Sequence, residues 1–244
     1  MEIALETQSC TFSYADRELV IQVGDLLSAQ SDVIVCSNQG DLASDRGIAA
    51  VVSEAAGIGI QVELQQLIRE YGEFLSGMAT FTSAGYLPFK GLIHAISPTM
   101  GSGDERRDIE QAVTNSLLLC EANNWATIAF PALGTGGREI PAGLSSQAMI
   151  RAILRFWDAR MDSLVERVSI YVRDACFEAF ISSVKAENAG PFASLAGLPV
   201  AGIAAPGSHN TAEGSIEDVE VGELELNDDD ITGLDNDEFS DWFK

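Results

Sequence analysis

Apolar residues in this chain gather into short blocks separated by polar turns, and the blocks switch between two periodicities. Thr11–Tyr14 and Leu19–Val23 alternate about the turn Ala15–Asp16–Arg17 and predict a β-hairpin closed by Gly24–Asp25. Asp32–Cys36 is a short β-branched run of the kind buried on both faces of a sheet, and Ser37–Gly40 after it has turn chemistry. Ile48–Ala56, stopped by Gly57, and Val62–Tyr71 predict two helices. Met78–Thr82 and Gly91–Ile96, with a turn at Gly85, predict two strands joined over a hairpin-length connection. Asp108–Asn123 places Val113, Leu117 and Cys120 on one helical face. Strand Ala126–Phe130, helix Leu144–Ala159, strand Arg167–Val172 and helix Cys176–Val184 complete the pattern. Strands alternating with helices imply a mixed or parallel sheet covered on both faces, with ligands bound beyond the carboxyl ends of the strands.

The pattern stops near Ala186. Residues 187–244 begin with Ala, Gly and Pro and then turn acidic, with fourteen acidic residues and one basic residue, Lys244. One domain over 1–186 and a disordered tail over 187–244 are therefore expected. The Phe239, Trp242 and Phe243 cluster is more than a solvating spacer needs and suits a groove on a protein partner. The formal net charge of −23, with no Lys/Arg cluster, argues against binding a nucleic-acid duplex, although backbone amides still permit a phosphate-bearing small molecule. Cys10, Cys36, Cys120 and Cys176 form no CxxC pair, so neither a metal nor another cofactor is expected. A start without a basic n-region, and no apolar run near the roughly eighteen residues of a membrane span, predict a soluble, reduced, cytoplasmic protein.

Two loops at predicted strand ends carry the candidate chemistry. The first runs Cys36–Ile48 (CSNQGDLASDRGI), and the second is Pro131-Ala-Leu-Gly-Thr-Gly-Gly137. Three glycines in four residues allow a backbone to approach a diphosphate and aim successive N–H groups at it.

Order and spacing resemble the macro domain family from about Thr11 to Val184. Val23–Leu26 is similar to the family's V-x-G-D-I element and Asp32–Val35 to its D-A-I-V strand. Met78–Ala79 with Gly85–Leu87 and Ile93–Pro98 looks like G-x-A...T-x-G-x-L...I-H-x-V-G-P, and Phe130–Gly136 with Pro141 like F-P-A-[IL]-[SG]-T-G...P. The resemblance implies a three-layer α/β/α fold with a mixed central sheet, holding ADP-ribose, an NAD-derived metabolite or an ADP-ribosylated protein. It further implies that Asp25, beside Leu26, accepts the adenine amino group. Gly47 and Ile48 would join Gly134, Thr135, Gly136 and Gly137 around the diphosphate and distal ribose.

The departures bear on activity. The family's N-A-A-N-x-x-L-x-x-G-G-G-V-D becomes Cys36–Ala49, so its second Asn falls on Gln39, beside Asn38, and Asp45 and Arg46 replace two glycines. The acid that assists water in one hydrolase class becomes Ala49, which moves no proton. Asn38 and Asp45 are the remaining catalytic candidates, with Asp41 as another possible base and Arg46 as a phosphate clamp. Arg138 stands where relatives have an aromatic near the distal ribose. Arg173, or Phe177, stands near the usual adenine-stacking position. His94 reads as a structural histidine and Cys36 as a buried hydrophobe. The leading expectation is a binding module; the alternatives are a hydrolase of ADP-ribosyl linkages or derivatives, and a scaffold that kept only the fold.

Overall fold

A computed structural model describes residues 8–189. The acidic tail and its aromatic end lie outside the described residues. Seven strands form one sheet: β1 (Ser9–Tyr14), β2 (Arg17–Val23), β3 (Val33–Asn38), β4 (Ala79–Thr82), β5 (Gly91–Ile96), β6 (Thr127–Pro131) and β7 (Arg167–Val172). Their order is β1-β2-β7-β6-β3-β5-β4. The five central strands are parallel, and the edge strands β1 and β4 pair antiparallel with β2 and β5. The mixed sheet expected from the alternation of elements is what forms.

Helices cover both faces, giving three layers. α1 (Gly47–Ala56) and α2 (Ile58–Tyr71) lie on one side, bent 119° to each other at Gly57. α3 (Glu105–Ala122), α4 (Ala142–Ala159) and α5 (Asp174–Ala189) pack together on the other. Alternation along β3 divides the core: Ile34 and Cys36 join Val52, Ile60 and Leu64 in one apolar cluster, leaving Val33 and Val35 for the opposite face. Helix α5 continues three residues past the expected limit of the domain at 186. Every helix begins earlier than its apolar pattern indicates, most of all α2 at Ile58 and α3 at Glu105. The first turn of α3 carries Glu105 and Asp108, which suit a helix N-terminus electrostatically without contributing apolar periodicity.

Two polar clusters fix the frame. Arg17 is buried and donates to the carbonyls of Trp157 (3.0 Å), Arg160 (2.9 Å) and Met161 (2.8 Å), closing the end of α4 onto the hairpin. At the amino edge of the sheet, Asp32 pairs with Lys90 (2.8 Å) and accepts from the N–H groups of Ala126 (2.8 Å) and Thr127 (3.3 Å). Burial raises its pKa, but the Lys90 bond and the two N–H donors outweigh burial and hold the carboxyl below the usual range. This carboxylate therefore staples the starts of β3, β5 and β6.

At the opposite edge the sheet forks. β3 and β6 pair only at Val33 with Ile128 and Ile34 with Ala129. Beyond that point β3 follows β5 as far as Asn38 with Ile96, and β6 follows β7 as far as Pro131 with Tyr171. The chain leaves β3 for α1 on one face and β6 for α4 on the other, so the two connecting loops part above the fork. A crevice at such a switch point is where open α/β sheets take their ligands.

Candidate functional site

Of the five connections that leave this carboxyl edge, four carry the expected site residues. Asp25–Ser28 follows β2, Arg173 follows β7, the second loop (132–141) follows β6, and the first loop (39–46) follows β3. The strands are neighbours in that order, so the site extends over three strand spacings, roughly 14 Å.

At the β2 end, Asp25 is exposed and caps a short 3-10 turn, accepting the Leu27 N–H at 3.0 Å. The carboxylate has lone pairs to spare beyond that bond. The Leu26 side chain lies in the core, which leaves only its backbone to face a ligand. Tyr171, at the end of β7, was not singled out in the sequence because it sits inside an apolar strand. Burial pushes its phenol up; the Ser28 side chain beside it opposes this and the Asp25 carboxylate adds to it. Of the two residues expected near adenine, Arg173 is exposed and donates to the Thr135 carbonyl at 2.7 Å. Phe177 is half-buried on α5, and Phe180 takes the core position.

The second loop is built around Gly134, whose φ is +76°. A Cβ there would lie 2.7 Å from the Ile140 side chain, so the sequence needs glycine for both conformation and space. Gly134 accepts from the Ile140 N–H (3.1 Å) and Gly136 from the Glu139 N–H (3.0 Å), folding the loop back on itself. Gly136 and Gly137 are exposed, and their N–H groups have no acceptor among the described residues. Glu139 holds φ +59°, a left-handed conformation that glycine and asparagine tolerate better. Glu139→Asn is expected to raise stability by about 0.5 kcal/mol and the melting temperature by about 1–2 °C. A melting temperature equal to or below the parent's would show that the loop bears no such strain.

The first loop is tied to its surroundings at Gly40, where a Cβ would come 2.2 Å from the Phe74 carbonyl oxygen; the Phe74 N–H bonds to Gly40 at 2.8 Å. Asp45 and Arg46 form an exposed ion pair at 3.2 Å, with side chains 60% and 74% accessible. Gly47 and Ile48 open α1, which has no side-chain cap, so its first N–H groups face the crevice unclaimed. Ile48 packs partly against the core, and Ala49 is buried. Gln39 is half-buried, and its carbonyl accepts from Leu42 at 2.9 Å.

Asn38 occupies a different setting from the one its position suggests. It is the last residue of β3, 1% accessible, and its side chain is engaged by His94 and Ser44. His94 is buried as expected, and burial pulls its pKa down to about 4. Cys36 is likewise buried, its thiol pushed up to about 12. Arg138 reaches across the crevice from the second loop, donating to the Asn38 carbonyl (2.8 Å) and to Thr99 (3.1 Å). Burial lowers its pKa; the nearby Asp41 opposes that shift and Arg46 adds to it. Of the three expected arginines, Arg138 and Arg173 thus hold backbone carbonyls around the site, a role that spacing alone does not reveal, while Arg46 pairs with Asp45. Among the described residues no group of three or more His, Cys, Asp or Glu side chains is placed to hold a metal ion.

A forked α/β/α sheet with free backbone N–H groups on both sides of the fork defines a cleft suited to a phosphate-bearing ligand. The comparisons make this specific. The Macro domain family profile matches residues 36–149. The chain is 33% identical over 136 residues to an O-acetyl-ADP-ribose deacetylase of Klebsiella pneumoniae, covering 55% of this chain and 78% of that protein. It is 32% identical over 206 residues to human protein mono-ADP-ribosyltransferase PARP14, covering 81% of this chain but only 11% of that much longer protein. Among solved structures it is similar to the Oceanobacillus iheyensis macrodomain with ADP (TM-score 0.69, 21% identity, 74% of this chain and 97% of that one). It is also similar to the Trypanosoma brucei macrodomain in complex with ADP-ribose (TM-score 0.61, 15% identity, 68% of each chain). The chain belongs to the macro domain family.

Proposed function

We propose that the crevice binds ADP-ribose, free or attached to a protein, and that the domain acts as a reader of that group rather than as a hydrolase. The observation that carries this reading is the pair of exposed glycines Gly136 and Gly137, whose N–H groups are unclaimed, set across the fork from the uncapped start of α1 at Gly47 and Ile48. A diphosphate satisfies both sets without a basic side chain. Asp25 then takes the adenine amino group at one end, beside Tyr171 and Arg173. Thr135 and the second loop hold the middle. Gln39 and Arg138 border the distal ribose, with Arg46 near enough to meet a phosphate.

The preference for binding over turnover rests on what the first loop offers. Asp45 is paired with Arg46 in solvent, the Asn38 amide is turned into the core, and Ala49 presents a buried methyl group. None is set up as a general base near a distal ribose. Calorimetric titration with ADP-ribose should give saturable heat. Incubation with O-acetyl-ADP-ribose or with mono-ADP-ribosylated protein should leave both intact. Absence of binding heat at high ligand concentration would sink the ligand assignment; turnover that disappears in Asp45→Ala would make the protein an enzyme.

A further inference from the structure

We propose that His94, acting through Asn38, is a positioning residue that sets the shape of the first loop and so the far wall of the crevice; this rests on the ligand reading above. Its basis is a continuous line of side-chain hydrogen bonds running across three strands into the loop. Thr82 Oγ1, at the end of β4, lies 2.9 Å from His94 Nε2 on β5. His94 Nδ1 lies 3.1 Å from Asn38 Oδ1 on β3, and Asn38 Nδ2 donates to Ser44 Oγ at 3.1 Å. Ser44 Oγ then donates to the Leu42 carbonyl at 3.4 Å.

The Asn38 amide sets the direction of the line. With its Nδ2 donating to Ser44, its Oδ1 accepts, so the proton of a neutral His94 sits on Nδ1; Nε2 is left as an acceptor facing the Thr82 hydroxyl, whose one proton it shares with the Ser83 carbonyl at 3.0 Å. Burial keeps the ring neutral, since its pKa falls to about 4. Thr82, His94 and Asn38 are all buried, so each lost bond leaves a polar atom without water to replace its partner.

The far end of the line identifies what it does. Leu42 is buried and holds φ +53°, a left-handed conformation unusual for leucine. Such a residue persists only where its surroundings over-determine it. Around it the Asp41 side chain accepts the Ala43 N–H (3.0 Å), Gln39 accepts the Leu42 N–H (2.9 Å), and Ser44 grips its carbonyl. The same Asn38 also accepts on its main-chain carbonyl from Arg138 of the second loop and from the Ser97 N–H (3.3 Å). One residue therefore joins the loops on both sides of the crevice to the centre of the sheet, and His94 decides how its amide faces.

Four variants test this: Ser44→Ala, His94→Leu, the two combined, and His94→Asn, whose amide can replace the Nδ1–H donor. Ser44 is half-buried in a loop, so its truncation leaves the core whole. ADP-ribose affinity should fall about fivefold in Ser44→Ala and in His94→Leu, no further in the double variant, and by less than about twofold in His94→Asn. Additive losses, or a His94→Asn variant as weak as His94→Leu, overturn the proposal. Amide exchange at Leu42–Arg46 provides a readout independent of ligand: it should accelerate in Ser44→Ala and His94→Leu and stay slow in His94→Asn. If the parent binds no ADP-ribose, the ligand reading fails on that result, and exchange alone decides whether the line positions the loop. Unchanged exchange in both Ser44→Ala and His94→Leu overturns it.

Discussion

Gly134→Val is expected to weaken ADP-ribose binding by at least about a hundredfold, the largest effect of any single change outside the core. A left-handed conformation costs an L-residue about 1–2 kcal/mol, and more when the side chain is β-branched. Here φ is +76°, and the new Cβ falls 2.7 Å from Ile140 Cδ1. Ile140 is buried and has little room to withdraw, so forcing the two together costs a further 1–3 kcal/mol, roughly. The second loop must refold to escape, carrying the Gly136 and Gly137 N–H groups away from the diphosphate. Gly136→Ala is the informative control, because a Cβ there meets nothing within 4 Å and the fold should melt at the parent's temperature. Calorimetry and thermal melts on both variants decide the matter. Parent-like affinity in Gly134→Val would mean that the loop does not contact the ligand.

The second large effect belongs to Asp25. Asp25→Ala should lower affinity about thirtyfold, the equivalent of about 2 kcal/mol for a hydrogen bond to a charged group. Part of any stability loss will come from the cap on Leu27, which the same carboxylate supplies. Asp25→Asn separates the two roles. Asparagine keeps an oxygen for the cap but turns an amide donor toward the adenine amino group, so stability should recover while affinity stays low. AMP and ADP should show the same ordering as ADP-ribose, whereas ribose 5-phosphate should not distinguish the variants. Parent-like binding by Asp25→Asn would remove adenine from this end of the crevice.

Most of the architecture could be read from local pattern because it depends on local physics. The β-branched run at Val33–Val35, the alternation of Leu19–Val23 and the apolar face of Asp108–Asn123 each announce their element, and the glycines of the second loop announce the turn after β6. The fork between β3 and β6 could not be read this way, since pairing between residues about ninety-five apart leaves no periodic trace. The site residues divide similarly. Gly134 was legible because only glycine fits where it stands. The inward turn of Asn38 was not, because it depends on His94 and Ser44 arriving from other parts of the chain. Arg138 and Arg173 follow the same rule: a guanidinium that grips a distant carbonyl looks in sequence like one waiting for a ligand. Tyr171 was hidden for the opposite reason, as an aromatic at a strand end is ordinary core until its neighbours are known.

The fork also makes the crevice a pair of jaws. One jaw is β3-β5-β4 with the first loop, the other β1-β2-β7-β6 with the second, and the hinge is two rungs of ladder at Val33 and Ile34. Asp32 clamps the base of both jaws, while α3 lies against strands of each. The gape between the two loops is therefore anchored away from the groups that face the crevice, and a change in side-chain volume under α3 is expected to alter it without touching a residue of either loop.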